Sequence, residues 1–192
     1  MLLACQCRTI LLPLPRSVGP ILALYHCHCT ECRKQSASAF GTTALFPADA
    51  LFPLPPDTLS KLGVWTRPTD TARTMDCYFC KTCGVRVIHR IREKDGSERG
   101  TVSVKAGCLE EEEGDRERGQ VVDWKRAKHI YTRSAVVHVP EGVERWEAAP
   151  DDGLATGNRS GDKDEKAEAG EKVSAEELEE IERTSPVCLM RF

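Results

Sequence analysis

The chain has 192 residues and a formal net charge of −3. That length allows one domain with a sizeable core plus a tail. The mild acidity and lack of a basic stripe speak against nucleic-acid binding, and no apolar run approaches the ~18–20 residues of a membrane span.

The opening MLLACQCRTILLPLPRS is apolar, but it has no basic n-region and is interrupted by cysteine and glutamine, so it does not read as a signal peptide. A soluble intracellular protein with reduced thiols is expected, in the cytoplasm or also the nucleus. A first strand is expected over Cys7 to Leu12, with Pro13, Pro15 and Gly19 marking a turn. Ile21 to Tyr25 is short and apolar, fitting a buried strand that feeds a ligand loop. A helical turn is expected from Thr30 to Ser36, then a strand over 39–46. Four prolines between Pro47 and Pro56 read as loop or edge. Leu62 to Trp65 is a weak strand candidate. Val85 to Ile91 and Thr101 to Ala106 alternate as strands do, with a turn at Asp95-Gly96 between them. The run 110-EEEEGDRERGQ-120 reads as a solvated loop, and His129 to Pro150 as strand-like and turn segments. Residues 151–192 read as a mostly disordered tail, because Gly, Asp, Lys and Glu cannot bury enough apolar surface to offset ordering. Ser174 opens a short helix there, to about Arg183, with a capping box. The expected organisation is one mainly β domain over 1–150 and a charged tail over 151–192.

Ten cysteines are many for such a chain, and in a reducing compartment they read as metal ligands. Eight fall in three groups: Cys5 and Cys7; Cys27, Cys29 and Cys32; Cys77, Cys80 and Cys83. Cys80-x2-Cys83-Gly84 has the form of a knuckle, in which two sulfurs face one ion and glycine turns the backbone beneath it. Cys5 and Cys7 can supply the other two ligands of a closed tetrahedral zinc site, whose binding energy is also folding energy. Cys27, Cys29 and Cys32 then lack an obvious fourth protein ligand. Three ligands and an open position characterise catalytic zinc, which can polarise a carbonyl or hold a thiolate at neutral pH. Other assignments stay open: Cys77 or Cys108 as the fourth ligand, Cys77 in place of Cys80, or a metal-free thiol cluster. His26 and His28 alternate with the ligands in an extended segment, so their side chains are expected to point away from the ion.

Together, the N-terminal C-x-C, then Y-x-C-x-C-x2-C-R-K-x-S-x-S-A-F, F-C-x2-C-G and V-K-A-G-x-L-E resemble the glutathione-dependent formaldehyde-activating enzyme family, which includes centromere protein V. The likeness covers about residues 4–149. It implies a mainly β, Mss4-like fold with two zinc ions: a structural one at Cys5, Cys7, Cys80 and Cys83, and a catalytic one at Cys27, Cys29 and Cys32. It further implies a carbon–sulfur lyase that handles a glutathione-like thiol and a small carbonyl such as formaldehyde, or their adduct. Arg33 and Lys34, directly after the second cluster, are candidates for holding glutathione carboxylates. Two positions depart from the family pattern. Arg8 follows the first C-x-C, and alanine occupies the middle of Ser36-Ala37-Ser38; glycine is usual at both. The contrasting reading is a non-enzymatic, zinc-stabilised interaction module, and a redox thiol protein is a third. His89 and His138 read as ordinary strand histidines, and Phe40 and Phe79 as core rather than pocket residues.

Overall fold

The structure, a computed structural model, describes residues 1–14, 21–110 and 122–150. Most of the acidic run 110–120, the tail with its expected helix, Cys188, and the Pro15 and Gly19 of the expected turn lie outside the described residues. Among the described residues, ten strands form two sheets. Strands β1 (Leu2–Ala4), β2 (Leu11–Pro13) and β9 (Leu109–Glu110) make a small sheet in the order β2-β1-β9. Strands β3 (Ala23–Cys27), β4 (Gly41–Pro47), β5 (Leu62–Pro68), β6 (Thr74–Cys80), β7 (Arg86–Arg92), β8 (Glu98–Lys105) and β10 (Lys128–Ile130) make a large one in the order β10-β3-β4-β8-β7-β6-β5. The expected mainly β fold is present. No helix among the described residues is long and apolar enough to cross a membrane.

The period-2 alternation of strands gives the large sheet two chemically different faces. Register aligns Leu24, Ala44, Val104, Ile88 and Tyr78 across five strands. With Phe46 and Val102 they form the main core, which also takes Leu3, Ile10 and Leu12 from the small sheet and its hairpin. The other parity aligns Leu45, Ser103, His89, Cys77 and Trp65. That face is polar at its centre, and the candidate site is built on it.

The first strand is not where the sequence suggests. Cys7 sits in the turn between β1 and β2, and the second strand begins only at Leu11. A pair of ligands one residue apart can converge on a single ion only if the backbone turns, so Cys5 to Ile10 becomes a loop closed by Cys5 N–H to Ile10 O at 3.1 Å and Arg8 N–H to Cys5 O at 2.9 Å. Pro13 ends β2 rather than breaking it, as an edge strand tolerates a residue without an N–H. The proline-rich stretch becomes a 3-10 turn (Ala48–Ala50) and a short helix α2 (Pro56–Lys61), which begins with proline where its missing N–H costs nothing.

Helix α1 (Thr30–Ser36) occupies the span expected from the sequence. Its N-cap is Cys29, whose sulfur accepts the Cys32 N–H at 3.3 Å. It ends in a Schellman pattern, with Ala37 N–H on Lys34 O and Ser38 N–H on Arg33 O. Ala37 takes φ 48°, and Arg8 takes φ 61°. These are the two departures from the family's glycines, and both fall in the left-handed region that glycine enters freely and other residues enter at a cost. Ala37→Gly is therefore expected to stabilise the protein by ~0.5–1 kcal/mol, read as a higher chemical-denaturation midpoint at unchanged m-value.

Candidate metal centres and the adjoining cavity

Two hairpin tips meet at the first cysteine group. The β1–β2 turn carries Cys5 and Cys7, and the β6–β7 turn carries Cys80 and Cys83, with Gly84 at φ 75° letting its N–H return to Cys80 O at 2.9 Å. The four sulfurs lie within 4.8 Å of one another, with Cys5 to Cys7 at 3.6 Å and Cys7 to Cys80 at 3.7 Å. Zinc–sulfur bonds of ~2.3 Å in a tetrahedron require sulfurs ~3.8 Å apart, so the set fits zinc. These cysteines are free thiols. Cys5 accepts the Ile10 N–H at 3.2 Å, yet burial pushes its thiol up to about 12. Hydrogen bonds from Thr9 hold exposed Cys7 down at about 6.

The second group gathers where β3 runs into α1. Cys27 is the last residue of the strand, Cys29 the helix cap, and Cys32 lies in the first turn. Their three sulfurs also lie within 4.8 Å of one another. Thiol contacts from Cys27 and Cys29 hold Cys32 far below the ordinary thiol range, helped by the charges of Lys105 and Arg67, and the same contacts push Cys27 up. Gln35 Nε2 donates to Cys32 Sγ at 3.3 Å. This is a donor set of soft sulfurs with three members, again suited to zinc.

Among the described residues, the other cysteines and the histidines fall outside both groups. Cys77 is fully buried on β6, its sulfur 4.0 Å from Met75 O. Cys108 lies 3.8 Å from Arg86 O, with burial pushing its thiol up to about 11. His26 and His28 point away from the cysteines, as their alternation requires. His26 Nδ1 is 2.9 Å from Thr42 Oγ1, and His28 Nε2 is 2.9 Å from His129 Nδ1, the last two rings stacked at 20°. Burial holds all three histidines below the usual imidazole range. The pair fastens β10 and the segment after it beside the second cysteine group, aided by Ser134 Oγ on His28 O at 3.2 Å.

Beside Cys27, Cys29 and Cys32 opens a cavity of about 440 Å³ on the polar face of the large sheet. Arg33 and Lys34 do not line it; Lys34 faces solvent and pairs with Glu31 at 3.5 Å. Arginines from elsewhere in the chain do. Arg99 is tied to Glu93 at 2.7 Å and Arg133 reaches Asp70 at 3.6 Å, whereas Arg67 donates to Pro68 O at 3.0 Å and Met75 Sδ at 3.6 Å, lies by the Cys77 thiol, and has no carboxylate partner among the described residues. His89 lines the cavity too, and its buried Nε2 has no hydrogen-bond partner among the described residues; neither does Thr101 Oγ1. Full burial holds the His89 imidazole well below its usual range, so it is neutral. Tyr131 closes one side from a left-handed backbone at φ 57°, its hydroxyl donating to Asp70 at 2.9 Å. Sequence spacing alone points to none of these lining residues. They share only strand parity, which becomes informative once the register is known.

The family model for glutathione-dependent formaldehyde-activating enzyme matches residues 2–134. The chain belongs to this family. No curated protein matches it at a significant level. The match spans both cysteine groups and extends through Tyr131 and Ser134, so the family's domain contains the whole arrangement except the last cavity residues, Ala149 and Pro150.

Removing one histidine of the buried pair tests how the cavity wall is held. His129→Ala should leave His28 Nε2 unpaired and cost ~1–3 kcal/mol, measured by denaturant unfolding.

Proposed function

We propose that the protein is a zinc-dependent lyase-type enzyme that joins a glutathione-like thiol to a small carbonyl such as formaldehyde, or splits their adduct. In this reading Cys5, Cys7, Cys80 and Cys83 hold a structural zinc, and Cys27, Cys29 and Cys32 hold a catalytic one. The supporting observation is the cavity of about 440 Å³ lined by all three members of the incomplete group, Cys27, Cys29 and Cys32, whereas the second cavity, of about 500 Å³, meets the four-cysteine group only at Cys83. An interaction module stabilised by zinc has no use for a cavity that opens onto an incomplete ligand set.

Zinc bound there through three protein ligands would supply an open position that polarises a carbonyl oxygen or holds a thiolate. The protein's own groups complete the site. Arg67 offers a guanidinium with no carboxylate partner among the described residues, suited to a substrate carboxylate. His89 and Thr101 offer neutral hydrogen-bonding groups on the cavity wall. The apolar parts of Leu45, Met75, Ile91 and Ile130 limit water at the reacting atoms. In the joining direction a sulfur–carbon bond forms as the carbonyl π bond opens, and the thiol proton ends on the former carbonyl oxygen. No oxidant or reductant is required.

Two zinc ions per chain are expected by metal analysis. Cys80→Ser should unfold the domain, because it opens the site that clips the two hairpin tips. Cys29→Ser should stay folded with one zinc. Equal unfolding of both variants would show that the division into structural and catalytic roles is wrong.

In exchange NMR, the two-zinc protein should accelerate interconversion of glutathione plus formaldehyde with the hydroxymethyl thioether beyond the spontaneous rate. Arg67→Met should raise KM for glutathione ~10-fold or more with a smaller change in kcat, as a charge-assisted contact to one carboxylate requires. A two-zinc protein without acceleration over the spontaneous rate would rule the assigned substrates out.

A further inference from the structure

We propose that Lys105 is the buried counter-cation of the Cys27–Cys29–Cys32 centre, a positioning residue that lets this three-sulfur set hold its metal without itself touching substrate. The inference rests on the metal-centre reading above. Lys105 ends β8, and its ammonium nitrogen is buried with no hydrogen-bond partner among the described residues. It lines a second cavity, of about 500 Å³, behind α1, together with Gln35, Gly41 and Arg86. Cys83 of the four-cysteine group lines that cavity too, but no Asp or Glu does, and Arg86 Nη1 is buried and unpartnered as well. Arg86 at least stacks on Trp65, 4.6 Å from the ring centroid. A buried ammonium without a counter-charge is among the costliest groups a protein can contain, so the compensating negative charge must lie close by.

Register shows where it lies. Lys105 is opposite Thr43 on β4, and Gly41, two residues along on the same face, is opposite Cys27 on β3. A Cβ built at Gly41 would stand 3.3 Å from Cys32 Cβ and 3.7 Å from Lys105 Nζ. The missing side chain therefore leaves the space in which the cysteine and the ammonium approach each other. Three thiolates around a divalent ion carry a net charge of −1, which a single ammonium neutralises. The four-thiolate group carries more negative charge, but one of its members, Cys7, is exposed and water screens it.

The test uses the full-length protein with zinc in both sites. Lys105→Met keeps the bulk and removes the charge. By competition with a chromophoric chelator, the more weakly held zinc should lose ~10–100-fold in affinity, the scale of second-layer partners, while the tightly held zinc is unaffected. The variant carrying only the tight zinc should be no less heat-stable than wild type in the same state, because an unpaired buried charge has gone; a residue needed only for packing would lower that stability. With cobalt in the weaker site, the thiolate-to-metal charge-transfer band should shift in Lys105→Met and return in Lys105→Arg. If Lys105→Met does not fold, Lys105→Gln carries the same readings. A charge-free variant that holds both zincs as tightly as wild type, with an unmoved cobalt band, overturns the inference. Wild-type protein that binds a single zinc would instead overturn the metal-centre reading beneath it.

Discussion

The structure depends on the convergence of four sulfurs, Cys5, Cys7, Cys80 and Cys83, from two hairpin tips more than 70 residues apart in the chain. The small sheet is short: β1 has three residues and β9 two. Backbone pairing on that scale is marginal by itself. Leu3, Ile10 and Leu12 add burial against the large sheet, but these apolar contacts specify no particular approach. Four thiols within 4.8 Å would specify one on holding a tetrahedral ion, which accepts one arrangement of its ligands. The tip of β6–β7 would thereby be fixed against the N-terminal hairpin, and β7, which bears His89, with it.

From that constraint follows the division of the large sheet into a core face and a chemical face. Every central strand contributes to both, since consecutive residues alternate sides. Val102 and Val104 on β8 belong to the core, while Thr101, Ser103 and Lys105 on the same strand face the two cavities or the centre between them. A one-residue slip of β8 would exchange these sets, burying a lysine and two hydroxyls in the core. Register here is a condition for the site and for the fold at once. The bulge between Tyr78 and Phe79 opposite β7 absorbs one residue so that Cys77 and His89 stay paired on the chemical face while both Val87 and Ile88 remain buried.

Much of this was legible in the sequence, for identifiable reasons. Ligand spacing is a local property, so the composition of both cysteine groups could be read directly, as could the alternation that turns His26 and His28 away from them. Helix α1 was legible from its position between ligands. The first strand was misplaced because an apolar run from Cys7 to Leu12 gives no sign that its first residues must turn to present sulfur. Arg33 and Lys34 were candidates for holding substrate on proximity in sequence, but neither lines the cavity beside the cysteines. Arg67 and His89 come from β5 and β7, and only the strand order places them beside Cys32.

The same face also explains how cations can sit on both sides of one cysteine group without equivalent roles. Arg67 and Lys105 both favour charge on Cys32. They differ in what lies between them and water. Arg67 lines the cavity that opens beside the cysteines, so a diffusible anion can reach it. Lys105 does not line that cavity: its buried Nζ lies near Gly41 and Cys32, on the side of the second cavity. A cation that exchanges partners suits recognition, and one that cannot suits a permanent charge balance. Gly41 lies between the two: a Cβ there would press on Cys32 Cβ and O at 3.3 Å while meeting Lys105 Nζ at an ordinary 3.7 Å, so the absence of a side chain chiefly relieves the cysteine.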